Sequence, residues 1–136
     1  MKKLVALIFI LSLFSCKKTI EEIQTNAVIQ AMTSGQWKMV NFKIGTTDHT
    51  SEFAPYAFQF HANYTVDAIK NSAVEASGNW NASAENKTIT SNFSPSATNP
   101  LPYLNGTWKI TNNSWTYVEA NQEVNGTTRF LRLEKL

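Results

Sequence analysis

Hydrophobic residues along this chain follow two different periods, and the change falls at Gly35. Before it, apolar positions recur every three or four residues, whereas after it they alternate with polar ones. A spacing of about 3.6 residues is that of an amphipathic helix, and alternation is that of a half-buried strand. The sequence therefore predicts one helix followed by a long run of β-strands.

The predicted helix has its own start and stop signals. Thr19-Ile20-Glu21-Glu22 has the form of a capping box, in which the Thr oxygen and a Glu side chain satisfy free backbone amides. Gly35 supplies the C-terminal stop. The apolar face of the helix comprises Ile20, Ile23, Ala27, Val28, Ala31 and Met32. Two interpretations of this face stay open: it covers one end of a barrel, or it is a docking surface for a partner.

Turn residues divide the rest of the chain into eight predicted strands. These lie at residues 35–44, 56–61, 64–70, 75–81, 87–93, 105–111, 115–121 and 128–135. Asn112-Asn113 and Asn125-Gly126 tolerate positive φ, so both are predicted to form tight hairpin turns. The pattern predicts an all-β fold, an eight-stranded antiparallel up-and-down barrel with one N-terminal helix. A β-sandwich satisfies the same pattern and is the alternative.

The first predicted strand changes the side on which its apolar residues lie. Trp37 and Met39 share one parity, whereas Val40, Phe42 and Ile44 share the other. Such a change of side is what one extra residue in a strand produces. The sequence therefore predicts a β-bulge here, or a strand shared between two halves of a bent sheet.

A Gly-x-Trp triplet occurs three times, as Gly35-Gln36-Trp37, Gly78-Asn79-Trp80 and Gly106-Thr107-Trp108. Glycine in a strand marks a bend or a close backbone approach, and tryptophan buries a large apolar surface. The first triplet, which opens a strand directly after a helix, resembles the lipocalin signature. It is more closely similar to that of the small lipocalin-like lipoproteins common in Bacteroidetes. The resemblance implies that an Arg near the end of the last strand packs over Trp37, and both Arg129 and Arg132 fit that position.

The predicted barrel interior is aromatic and uncharged. The ligand-binding residues expected there are Trp37, Phe58, Phe60, Tyr64, Trp80, Phe93, Trp108, Trp115 and Tyr117. Residues 45–55 correspond in order to the lid of lipocalins, and Asp48, His49 and Phe53 are its predicted lid residues. A second long connection, residues 94–102, is expected at the same rim. Eight strands leave room either for their own side chains or for one small ligand.

The N-terminus has the form of a bacterial secretion signal. Met1-Lys2-Lys3 is basic, and residues 4–14 form an apolar run too short to span a bilayer, which needs about 20 helical residues. The ending at Cys16 resembles a lipobox, which implies cleavage before this cysteine and its acylation. We expect a signal peptide over 1–15, an acylated tether and helix over 16–34, and the barrel domain over 35–136.

The resemblance to bacterial lipoproteins also gives an expected location. No acidic residue directly follows Cys16, and in enterobacterial sorting an Asp there retains lipoproteins in the inner membrane. We therefore expect a lipid-anchored protein of the outer membrane. Both orientations of the barrel, toward the periplasm and toward the cell exterior, are compatible with this location.

Charge and candidate chemistry exclude several classes of function. The leader holds Lys2 and Lys3, so the 12 basic residues of the whole chain fall to the same number as the 10 acidic ones. The remaining Lys and Arg form no basic stripe, and nucleic acid is not an expected partner. His49, with Asp48, Glu52 and the distant His61, is a weak metal candidate, and solvated loop polarity explains these residues better.

No sequence motif points to catalysis or to a cofactor. The chain has no nucleophile elbow, phosphate loop or dinucleotide fingerprint. We therefore expect a monomer that is not an enzyme and has no cofactor and no metal. Two hypotheses remain: a membrane-anchored barrel that binds a small apolar ligand, and an envelope scaffold or protein/glycan interaction lipoprotein with a filled barrel.

Overall fold

The computed structural model describes residues 19–136, and the predicted leader, Cys16 and residues 17–18 lie outside them. Residues 19–33 are helical and are called α1. The strands are β1 (Trp37–Ile44), β2 (Thr47–Asp48), β3 (Tyr56–Phe60), β4 (Thr65–Lys70), β5 (Ala73–Ser83), β6 (Thr88–Phe93), β7 (Gly106–Asn113), β8 (Tyr117–Val124) and β9 (Thr127–Lys135). Two short helices lie in the long connections, α2 (Thr50–Phe53) and a 3₁₀ helix, η1 (Leu101–Leu104).

The strands form a closed antiparallel barrel. β1 pairs with β3, each later strand pairs with the next, and β9 returns to pair with β1, as in Met39 opposite Leu133. The two-residue β2 pairs only with the end of β1 and is not part of the closed ring of eight. Closure leaves the ring without an unpaired edge. The predicted eight-stranded up-and-down barrel with one N-terminal helix is confirmed, and the sandwich alternative is wrong.

The bulge predicted in β1 is confirmed. The register between β1 and β9 shifts between Met39 and Asn41, which leaves Val40 as the extra residue. Val40 is exposed, while Trp37 and Met39 on one side of it and Phe42 on the other are all buried. One inserted residue therefore keeps both halves of the strand facing the core, although their parity differs.

One of the two predicted hairpin turns is confirmed and the other is displaced. Asn125 and Gly126 have φ of 50° and 77° and join β8 to β9, as a primed turn requires. Asn113 instead pairs with Val118 inside the ladder. The turn lies at residues 114–116, where the Ser114 Oγ accepts a hydrogen bond from the Thr116 amide at 3.1 Å. A serine side chain therefore supplies the turn chemistry that the asparagines were predicted to supply.

The barrel has two structurally different ends. The helix end holds α1 and the turns at 61–64, 84–87 and 114–116, and the lid end holds connections 45–55 and 94–105 with the turns at 71–72 and 125–126. At the lid end the His49 ring lies 5.7 Å from the Tyr103 ring, so the two long connections meet, as expected. At the helix end Val28, Ile29 and Met32 pack against the core.

The apolar face predicted for the helix is divided in the structure. Its C-terminal half covers the barrel, whereas Ile20 and Ile23 are 55% and 62% exposed. Residues 20, 23 and 27 lie on the side of α1 opposite Val28, Ile29 and Met32, given a rotation of about 100° per residue. The side of α1 with Val28, Ile29 and Met32 covers the end of the barrel, as the first interpretation states. The opposite side, with Ile20 and Ile23, remains available as a docking surface, as the second states.

Candidate functional site

Most residues predicted for the barrel interior lie in the core. Six of the nine are buried: Trp37, Phe58, Phe60, Trp80, Phe93 and Trp108. They belong to one cluster with aliphatic residues from all parts of the barrel. The three Gly-x-Trp triplets therefore place three indoles in a common core. This core is the ligand-binding site that the sequence predicted.

Three predicted interior residues lie elsewhere. Tyr64 is 46% exposed because it sits in the turn between β3 and β4 with φ of 65°. Trp115 is 59% exposed in the turn between β7 and β8. Tyr117 is half-buried and turned outward, with the Arg132 guanidinium 4.3 Å from its ring centroid. In β8 it is Val118 and Ala120 that are buried, so the predicted parity of this strand was wrong by one residue.

Each core indole fastens a segment outside the strands to the barrel. The Trp37 Nε1 donates to the Met32 carbonyl at 2.9 Å, at the end of α1. The Trp80 Nε1 donates to the His61 carbonyl at 3.0 Å, in the turn between β3 and β4. The Trp108 Nε1 donates to the Leu104 carbonyl at 2.9 Å, at the end of η1. The tryptophans therefore satisfy buried polar groups while they hold both ends of the barrel shut.

The residue that packs over Trp37 is a lysine. The Lys135 Nζ lies 5.3 Å from the Trp37 ring, and the two residues are paired between β1 and β9. Arg129 instead donates from Nη1 to the Tyr103 carbonyl at 3.1 Å. Arg132 forms ion pairs with Glu119 and Glu134, and these carboxylates raise the pKa of its guanidinium. The expectation that Arg129 or Arg132 covers Trp37 is therefore wrong.

The predicted lid segment closes its end of the barrel with a buried side chain. Phe53, at the end of α2, is fully buried, and its ring centroid lies 4.7 Å from that of Phe42. Leu101 and Leu104 of η1 are buried beside it in the same cluster. These two leucines were not predicted as site residues, although their spacing of three is that of one helical turn. Side chains from both long connections thus close the lid end.

The two polar lid residues stay at the surface of the lid end. The Asp48 Oδ1 accepts a hydrogen bond from the Thr50 amide at 2.8 Å, and hydrogen bonds from Thr50 lower the pKa of this carboxyl. The His49 Nδ1 lies 2.5 Å from the Glu52 Oε1. These contacts shape the turn into α2, and neither side chain faces the barrel interior.

The core encloses a cavity of about 30 Å³. Its lining runs from Met39 and Phe58 to Trp108 and Leu133 and is apolar except for Ser91. The Ser91 hydroxyl already donates to the Leu104 carbonyl at 2.6 Å. A single water needs about 10–15 Å³ measured in this way, and a cavity that binds benzene measures about 150 Å³. The space between these side chains therefore suits at most a water or two, and not a lipid.

A second cluster of titratable groups, around Asp67, differs from a serine-activating triad. Asp67 lies between two partners, with His61 Nε2 at 2.8 Å and the Ser77 hydroxyl at 2.6 Å. The hydrogen bond from Ser77, and then that from His61, lower the pKa of Asp67. Activation of a serine needs the histidine in the middle position, as its base. This order therefore stabilises a carboxylate and leaves Ser77 unactivated.

Within residues 19–136, no three His, Cys, Asp or Glu side chains come together as a metal site. His49 lies at the lid end and His61 at the helix end, so these two histidines are not brought together.

At the lid end the Tyr56 hydroxyl donates to Glu75. Burial, together with this carboxylate, raises the pKa of Tyr56 to about 12. None of these groups lines the 30 Å³ cavity.

Within residues 19–136, no helix combines the length and the apolar character that crossing a bilayer requires.

Comparisons with known proteins support the fold. No family model matches the chain, and no curated protein does. Among solved structures, a DUF4847 family protein from Bacteroides vulgatus is similar with a TM-score of 0.57 and 14% identity, covering 79% of this chain and 96% of its own. A lipocalin-like protein from Bacteroides uniformis is similar with a TM-score of 0.51 and 16% identity, covering 76% and 98%. At these identities the likeness shows a lipocalin-like fold.

Proposed function

We propose that this chain is a membrane-tethered lipoprotein of the bacterial cell envelope whose barrel is filled by its own side chains. It acts through its outer surface, as a scaffold or as an interaction module for a protein or glycan. The observation that carries the proposal is the volume of the interior cavity, about 30 Å³. Pockets for small molecules are about ten times larger or more.

The closed ends of the barrel support the same proposal. At the lid end Phe53, Leu101 and Leu104 fill the opening, and at the helix end Met32 does so. The hydrogen bonds from Trp37 to Met32 and from Trp108 to Leu104 hold these caps in place. Entry of a ligand would break buried hydrogen bonds in addition to exposing apolar surface.

The tether is proposed from the sequence. Cys16 follows an apolar run preceded by two lysines, and it is the only cysteine of the chain. Acyl chains contribute about 0.8 kcal/mol per buried methylene, so two or three of them anchor a protein stably. The outer-membrane location is proposed because no acidic residue directly follows Cys16.

A second function is favoured by one specific feature of the lid end. The barrel is closed at this end by side chains from two connections and not from strands. The residues that line the cavity behind them are uncharged. If Phe53 and η1 moved away together, the barrel would open without losing its strand pairing. In this alternative the protein binds a small apolar molecule after the lid end opens.

Native mass spectrometry after incubation with a total lipid extract distinguishes the two functions. We expect the acylated protein to keep the mass of the protein alone, because the interior has no room for a lipid. A lipid-binding lipocalin treated in parallel is the positive control. One lipid per chain, released only when the barrel unfolds, would overturn the filled-barrel proposal and establish the second function.

A further inference from the structure

Exposed apolar side chains lie on and beside α1 at the helix end of the barrel. Ile20, Ile23, Tyr64 and Trp115 are here called the docking face. Strand register places Tyr64 and Trp115 at the same end of the barrel. Trp37 pairs with Lys135, Tyr117 with Glu134 and Phe60 with Val66, so the turns at 61–64 and 114–116 share the end at which α1 enters β1. Apart from Trp115, the indoles of the chain are buried, and the exposure of Trp115 therefore calls for a reason.

The docking face lies on both sides of α1 and along its outer side. Tyr64 lines a shallow groove with Asn26 and Ile29 on one flank of the helix. Ser114, next to Trp115, lines a small pocket with Val28 and Ala31 on the opposite flank, between the helix and the core. Ile20 and Ile23 lie on the side of the helix turned away from the core. The apolar residues therefore surround the part of the protein that follows the predicted anchor.

The predicted lipid anchor at Cys16 holds the docking face close to a membrane. Cys16 precedes Thr19 by three positions, which span at most about 11 Å even when fully extended. An acylated Cys16 would therefore hold the start of α1 against the lipid headgroups. At such a short distance, a surface that binds lipid weakly in solution is occupied most of the time.

We propose that the docking face inserts into the headgroup region of the bilayer that holds the acyl chains. This inference rests on the proposed tether and adds an orientation to it: the helix end lies on the membrane and the lid end points away. Tryptophan and tyrosine suit this region because each has an apolar ring and a polar group that stays hydrated. Three carboxylates, those of Glu21, Glu22 and Glu85, line the groove beside Tyr64, and Lys87 lines a pocket on the other flank of the helix. Lys17 and Lys18 directly precede the helix in the sequence. Because acidic and basic residues are equal in number here, insertion depends on apolar contact and not on anionic lipid.

Quenching of tryptophan fluorescence tests this orientation. The acylated protein is reconstituted into vesicles of phosphatidylcholine or of its chain-brominated form, and the quenching by lipid and by aqueous iodide is measured. With bromines placed close to the glycerol end of the chains, we expect brominated lipid to quench much of the emission of Trp115, and iodide to lose most of its effect on the bound protein. The matched variant Trp115→Phe should show almost no quenching by brominated lipid, because its three remaining tryptophans are in the core.

A second variant separates the docking face from the anchor. Ile23→Glu should leave the protein on the vesicles, held by its acyl chains, but should restore iodide quenching of Trp115. Wild-type protein that floats with the vesicles, yet shows iodide quenching and no bromine quenching, would overturn the docking face while the tether stands. Failure of the acylated protein to float with the vesicles would instead overturn the tether, and the inference that rests on it.

Discussion

Replacing Trp37 by alanine is expected to lower the free energy of unfolding by about 3–5 kcal/mol, the range measured for loss of a buried Trp or Phe side chain. Trp37 is fully buried and its indole donates to the Met32 carbonyl, so the change opens a cavity and leaves a buried acceptor without its donor. The loss would detach the end of α1 from the barrel. Urea unfolding followed by far-ultraviolet circular dichroism measures it.

Two further variants make this expectation falsifiable. Trp115→Ala removes an equally large side chain at an exposed site, and it should change stability by no more than about 0.5 kcal/mol. Trp37→Phe keeps most of the ring and removes the donor, so we expect an intermediate loss of about 1–3 kcal/mol. If Trp37→Ala cost no more than Trp115→Ala, the fastening role of the core indoles would be wrong.

Replacing Cys16 by serine is expected to remove the protein almost completely from the membrane fraction, or to leave it uncleaved. The thiol is the proposed attachment point, and without acyl chains the weak docking face alone does not retain the protein at low concentration. Flotation of membranes followed by immunoblotting measures the distribution, and labelling with radioactive palmitate shows acylation.

The neighbouring substitution Lys17→Ser is the control for this experiment, because it changes the same segment and keeps the thiol. That variant should remain acylated and membrane-bound. The thermal unfolding of Cys16→Ser should match that of the wild-type barrel, since Cys16 precedes the helix that packs on the core. A processed Cys16→Ser protein that still floats with membranes would show that the lipid anchor is not at this residue.

The sequence predicted the fold because its strongest signals are local ones. Alternation of apolar residues, the Asn125-Gly126 turn and the change of parity within Trp37–Ile44 each reflect backbone geometry over a few residues. The three Gly-x-Trp triplets belong to the same class of signal. At Gly78 a Cβ atom would lie 2.5 Å from the Asn92 carbonyl oxygen, so the close approach predicted for this glycine is present.

The wrong predictions depend on the placement of a turn. Because Ser114, and not Asn112, begins the turn between β7 and β8, Trp115 falls in that turn and Tyr117 faces outward. A shift of one residue moves a whole strand's side chains to the other face. The cation over Trp37 was missed for a related reason, since the register between β1 and β9 places Lys135 there and not an arginine.

The volume of the interior was the feature least accessible from the sequence. Periodicity shows which side chains point inward, but not how far the connections fold into the barrel. Here Phe53 and Leu101, from two separate connections, enter the core and become fully buried. The choice between a binding cup and a filled barrel therefore follows from tertiary packing at the lid end.

The filled interior is tested most directly by a titration of the Trp115→Phe variant with a dibrominated fatty acid, because bromine quenches tryptophan only at short range. In this variant the remaining tryptophans are the three buried ones, so a fatty acid bound at the docking face quenches little of the emission. A filled barrel predicts no saturable quenching and an unchanged emission maximum. Quenching that saturates at one fatty acid per chain would place the acyl chain among the core indoles and would contradict the account.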